Sequence, residues 1–207
     1  MMRLIDSCLI CRRWIWVSGN FCCPDCLRTF EDLPLVYQQL QGLDIFSLFQ
    51  FVRPADEMIR FGKRNRLVDL LGGLSQVAAK KLGGECLWSV GAVVPMPPRS
   101  FGEKDHAYLI AETVAEFFRA PLCHLLLKRT STDGSQKEKS KAERQKIKLE
   151  RTDESAAHLE LDGLFLLIDD VVTTGATLHQ AWTLLGKPPA VALTLASTPL
   201  WKKGELQ

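Results

Sequence analysis

The sequence predicts an α/β fold, a parallel sheet flanked by helices, with a small cysteine-bearing module ahead of it. Three observations predict this. Apolar runs without a period at 87–95, 164–168 and 190–195 have the composition of strands covered on both faces. Segments with apolar residues at spacings of three and four lie between the strand-like runs, as helices that cross over a sheet require. Five of the seven cysteines fall within the first 26 residues.

Cys8 and Cys11 bracket Leu-Ile, and Cys22, Cys23 and Cys26 stand in the run CCPDC, so two Cys-x-x-Cys knuckles are separated by 11 residues. Each knuckle can turn two thiolates toward one ion, and an all-cysteine tetrahedral zinc site needs two such pairs. A disulfide pair is the competing reading, and a reducing compartment disfavours it. A thioredoxin-type redox site would want one such pair opening a helix within a βαβ unit, which this region lacks. The expected ligands are Cys8, Cys11, Cys23 and Cys26, with Cys22 an alternative to Cys23 at looser spacing. A closed site has no open position for substrate, so its expected role is folding and docking. Cys86 and Cys123, each beside a leucine, read as small core or surface residues.

The chain then divides into a cysteine module at 1–33, a connector at 34–42 and the sheet domain at 43–207. DIFSLFQFV at 44–52 reads as a strand. From Pro54, Met58, Ile59, Leu67, Leu70, Leu71, Leu74, Val77 and Ala78 mark one or two helices, weakened at Gly72-Gly73. Lys63, Arg64 and Arg66 read as a solvated helix face. The strand at 87–95 runs into Pro95-Met96-Pro97-Pro98, and a helix follows from about Asp105 to Arg119. Arg99, Ser100, Gly102 and Lys104 lie in the loop between them, where a cation and a free helix start suit an anion.

PLCHLLL at 121–127 reads as a strand, after which the composition changes abruptly. Between Lys128 and Arg151 there are nine basic residues against four acidic, so this segment carries +5 and the rest of the chain −3 of the net +2. No core can be drawn from it, and a flexible basic loop is expected over 128–158. A solvated charged insertion and a nucleic-acid contact are the other readings, although no aromatic interleaves the charges as a single-strand stacking platform would require.

Leu166 to Leu178, LLIDDVVTTGATL, carries the most specific signal. Asp169 and Asp170 fall at the carboxyl end of a strand, where open α/β sheets place their ligand crevice. Thr173-Thr174-Gly175-Ala176-Thr177 then opens a helix expected over 176–185, so unpaired N–H groups, hydroxyls and the positive helix end can converge on one anion. The same acids and threonines would also serve as ordinary capping and turn residues. A last strand at 190–195 completes an expected right-handed crossover.

This run resembles the phosphoribosyl pyrophosphate (PRPP) motif of type I phosphoribosyltransferases. Together with the cysteine knuckles ahead of it, the chain is similar to the ComF and GntX branch of that family. The resemblance implies a type I phosphoribosyltransferase-like sheet preceded by a zinc ribbon. It implies that Asp169 and Asp170 hold the ribose hydroxyls, and that Val171, Val172, Thr173, Thr174, Gly175, Ala176 and Thr177 form the 5-phosphate site. Arg99 and Lys104 would meet the pyrophosphate, and Arg129 and Arg144 would close over it from the loop, where Gln136 also fits the branch's pattern. The chain departs from the branch at Gly102-Glu103-Lys104-Asp105-His106, where Arg-Gly-Phe-Asn-Gln is usual, at Ile147 in place of Asn, and at Ser197 in place of Arg.

The function implied is Mg2+-dependent transfer of phosphoribosyl from PRPP to an unidentified acceptor, with release of pyrophosphate. The alternative is a non-catalytic PRPP-binding accessory protein of competence, docking on DNA-uptake or recombination partners or on DNA. No apolar stretch is long enough to span a bilayer and the first residues lack a signal-peptide core, so a cytoplasmic protein without membrane insertion is expected. The sequence leaves the oligomeric state open, a dimer included.

Overall fold

The computed structural model describes residues 8, 10, 11, 13, 23–53, 55–64, 68–85, 89–97, 106–129, 148–152 and 162–198. In chain order the elements are α1 (Pro24–Asp32), β1 (Val36–Leu40), β2 (Leu43–Gln50), α2 (Ala55–Arg64), α3 (Val68–Glu85), β3 (Val90–Pro95), α4 (His106–Phe118), β4 (Leu126–Arg129), β5 (Lys148–Arg151), β6 (Leu164–Val172), α5 (Ala176–Leu184) and β7 (Ala190–Ser197). Five strands form one sheet in the order β1-β2-β7-β6-β3.

The α/β class holds, but the sheet is mixed and not wholly parallel. β2, β7, β6 and β3 run parallel, while β1 lies antiparallel on β2 at one edge. The expected connector at 34–42 is therefore corrected: most of it is a strand and the turn of a hairpin. Its side chains alternate, with Val36, Gln38 and Leu40 half-buried and Tyr37 and Gln39 exposed. Pro34 and Gly42 bound this strand as hairpin punctuation.

Alternating side chains divide the core in two, as the pleat requires. Val93, Leu166, Ile168, Val191 and Leu193 enter a layer with Leu71, Leu74 and Leu82 of α3 and Ile110 and Val114 of α4. Ala92, Val94, Phe165, Leu167 and Ala192 enter the opposite layer with Leu178 and Ala181 of α5. Leu126 and Leu149, from β4 and β5, belong to that second layer. Those two buried leucines explain a second correction. The ends of the basic segment, expected within a loop over 128–158, pair as an antiparallel hairpin from Leu126↔Arg151 to Arg129↔Lys148.

β3 and β6 approach closely at their entry, where a Cβ on Gly91 would stand 2.5 Å from the carbonyl oxygen of Asp162 and Gly163 has φ +111°. Only glycine tolerates both the contact and the angle. Two helices, α2 and α3, occupy the stretch after Pro54. Among the described residues, no helix is long and apolar enough to cross a membrane.

Candidate functional site

β3 and β6 run parallel, but the direction in which successive strands add to the sheet reverses between them. After β3 the chain enters α4 on one face and returns on the outer edge, where Leu122 makes a parallel bridge to Val93. After β6 it enters α5 on the other face and returns as β7, on the opposite side of β6 from β3. Loops that leave two neighbouring strands toward opposite faces open a crevice at the strands' carboxyl ends, the usual ligand position in open α/β sheets. Pro95 pairs with Ile168 and the amide of Met96 donates to Ile168 O at 2.8 Å, so the loop after β3 starts beside Asp169.

Asp169 and Asp170 are half-buried and lie within β6, which runs on to Val172 instead of ending at the acids as expected. Asp169 pairs with Thr194 and Val171 with Ala196, while the Asp170 amide donates to Asp169 Oδ1 at 2.8 Å. That bond anchors the Asp169 carboxylate to its own strand end. Beyond it, Val172 is buried, Val171 half-buried, and Thr173, Thr174, Ala176 and Thr177 are exposed. Thr174 Oγ1 accepts from the Ala176 amide at 3.4 Å, closing a tight hydroxyl turn.

Gly175 caps α5 with φ +70° and ψ 0°, in the left-handed region. A Cβ there would overlap Leu40 Cδ2, so two independent reasons require glycine. The turn can present main-chain N–H groups to an anion, with two carboxylates one strand-end away. Sugar phosphates offer that combination, a phosphate beside a diol. Of the other expected residues, Arg129 ends β4 opposite Lys148. Arg99, Lys104, Gln136 and Arg144 lie outside the described residues.

The cysteine centre is assembled from both knuckles. The sulfurs of Cys8, Cys11, Cys23 and Cys26 all lie within 4.8 Å of one another. Four sulfurs about 2.3 Å from one tetrahedral ion stand about 3.8 Å apart. Cys11 Sγ and Cys23 Sγ are 3.6 Å apart, so the set fits a zinc ion. Cys22 lies outside the described residues, and Cys23 supplies the sulfur here. Cys23 is the N-cap of α1, Pro24 follows it, and Cys26 sits in the first turn. The described part of this module is thus a knuckle pair on a helix start, without strands.

Burial pushes the Cys8 thiol up, but the main-chain amides of Cys23, Cys11 and Ile10 outweigh it and bring it down to about 6. The amide of Arg13 lowers Cys11. Burial, then the neighbouring sulfurs, raise Cys26, and a coordinated ion would strip that proton. Cys8 and Cys23 are buried with Phe30 in the core layer of α3, and Phe30 meets Phe49 of β2 edge to face at 4.7 Å.

Sequence reasoning missed three residues beside the turn: Leu40, against Gly175; Thr198, bonded to Thr173; and Gln38, bonded to Ser197 and Thr198. Two belong to the hairpin that replaces the expected connector, and the third lies just past the last strand. For the hairpin the only sequence signal was Pro34 and Gly42 flanking VYQQL, which itself shows no apolar alternation. Compared with known protein families and curated proteins, the chain matches no family model and no curated relative.

Proposed function

We propose that this chain is a type I phosphoribosyltransferase-like protein of the ComF and GntX kind, which binds PRPP with Mg2+ and transfers its phosphoribosyl group to an acceptor. One observation carries the reading: the acid pair and the threonine-glycine turn stand at the carboxyl end of β6, at the switch between β3 and β6. Asp169 and Asp170 grip the ribose hydroxyls, and the turn from Val171 to Thr177 takes the 5-phosphate. Asp169 and Asp170 would help to hold Mg2+ with PRPP, and the ion would supply charge neutralisation for the leaving pyrophosphate. An acceptor nucleophile forms a bond to the anomeric carbon as the bond to pyrophosphate breaks, and the acceptor loses a proton. Electrostatic stabilisation and exclusion of water carry such a step. The cysteine centre holds zinc structurally and takes no part in it.

A specific observation favours the accessory reading as the runner-up. Ser197, where the branch has arginine, is fully buried and accepts from Gln38 Nε2 at 2.9 Å, so this position offers no cation. The deciding experiment measures PRPP binding by calorimetry and pyrophosphate release with Mg2+ and a panel of nitrogenous bases. Release that falls at least about 30-fold in Asp169→Asn, the scale of losing one charge-assisted bond pair, supports transfer. PRPP binding without release for any acceptor moves the protein to the accessory class. A wild-type chain that binds no PRPP sinks both.

A further inference from the structure

Thr198 follows β7 directly and reaches back to the turn twice. Its amide donates to Val172 O at 2.9 Å, and its Oγ1 donates to Thr173 O at 2.8 Å. In a trans peptide the carbonyl oxygen and the next residue's N–H point to opposite sides of the chain. Holding the carbonyls of Val172 and Thr173 toward Thr198 therefore turns the N–H groups of Thr173 and Thr174 away from it. Two successive N–H groups on one side, followed by Gly175 in the left-handed region, make an anion-binding concavity.

The first of these bonds continues the β6–β7 ladder, which pairs Val172 with Ser197. The second lies past the ladder and needs a side-chain hydroxyl. Behind Thr198 stands Gln38 of β1, whose Nε2 donates to Thr198 O at 3.3 Å and to Ser197 Oγ at 2.9 Å. The amide's orientation follows from this pair, because a carbonyl such as Thr198 O accepts only from the nitrogen. Gln38 Oε1 is buried with no hydrogen-bond partner among the described residues, so Gln38→Leu removes the two donor contacts and breaks no acceptor contact made by the described residues.

We infer that Thr198 is a positioning residue of the anion-binding turn, and that Gln38 positions Thr198, for a ligand carrying a sugar-phosphate monoester. The inference rests on the function proposed above and adds to it two side chains that touch no ligand. Ribose 5-phosphate and PRPP, each titrated calorimetrically with Mg2+, are the probes. Thr198→Val weakens both about tenfold, the scale of one well-placed hydrogen bond, while Thr198→Ser stays within about twofold of wild type and Gln38→Leu loses about threefold.

A purely structural threonine would lower Tm in Thr198→Val and leave both Kd values unchanged, and that result overturns the inference while PRPP binding stands. A wild-type chain that binds neither probe overturns both. A second measurement needs no variant: on adding ribose 5-phosphate to 15N-labelled wild type, the Thr173 and Thr174 amide resonances shift beyond those of solvent-facing controls. If the probe binds and these two amides stay put, the assignment is wrong.

Discussion

The cysteine centre and the carboxylate turn are two devices built from different atoms. At the first, four sulfurs within 4.8 Å of one another define a point, and two short motifs supply all of them. At the second, the atoms proposed to bind are largely main-chain N–H groups, and their direction depends on which strand lies beside which. Side chains that converge on an ion can be read from spacing. A backbone cradle needs the topology, because the partners that orient it, Thr198 and Gln38, are 25 and 135 residues from Thr173 along the chain. The first is a closed cluster of sulfurs, and the second opens onto a crevice.

The largest expected effect breaks the first device. Cys8→Ser, or removal of metal with a strong chelator, takes away a ligand that is 0% exposed and sits in the same core layer as Leu71 and Leu74. Loss of at least about 3 kcal/mol of unfolding free energy is expected, with release of the bound zinc. Zinc analysis of the purified variant checks it, and an unchanged metal content refutes the ligand set. Gly175→Ala comes next, aimed at the second device. It adds left-handed strain to an overlap with Leu40 and costs about 2–4 kcal/mol, and on the function proposed above it removes PRPP binding. Gly186, at φ +86° and with nothing within 4 Å of where a Cβ would stand, is the internal control. Gly186→Ala isolates the strain at about 1 kcal/mol. Equal costs at the two positions would remove the steric argument for Gly175.

Much of this could be read in advance. The buried runs at 164–168 and 190–195 became β6 and β7 because apolar residues without a period need cover on both faces, which α4 and α5 provide. The acid pair and the turn fell where strand and helix signals met. What stayed illegible was non-local or mixed in composition. β1 was hidden because VYQQL has only one half-buried face at a sheet edge, and its polar residues read as a linker. The β4–β5 hairpin was hidden because Leu149 stands between charged neighbours and its ladder partner Lys128 lies far back along the chain. The reversal between β3 and β6 depends on which face each helix takes, and no local pattern encodes it.

The smallest expected effect tests whether the two regions are energetically separate. Lys81 of α3 reaches the end of α1, and its ammonium donates to Glu31 O and Leu33 O, both at 2.5 Å. A cation there satisfies carbonyls that a helix leaves unpaired at its C-terminus and meets the negative end of its dipole. Lys81→Met keeps an aliphatic side chain of similar reach and removes only the charged head, so the cost is about 0.5–1.5 kcal/mol. Because Cys8, Cys23 and Phe30 share a core layer with α3, that loss should lower the midpoints of zinc release and of sheet unfolding together. Denaturant melts of the zinc-loaded protein, followed by a zinc dye and by far-UV circular dichroism, give the two midpoints. Coincident curves that shift in parallel mean the cysteine centre and the sheet unfold as one cooperative unit. An early zinc transition that alone responds to Lys81→Met would mean that the lysine clamps a separable module, and that the shared layer contributes little to holding the two regions together.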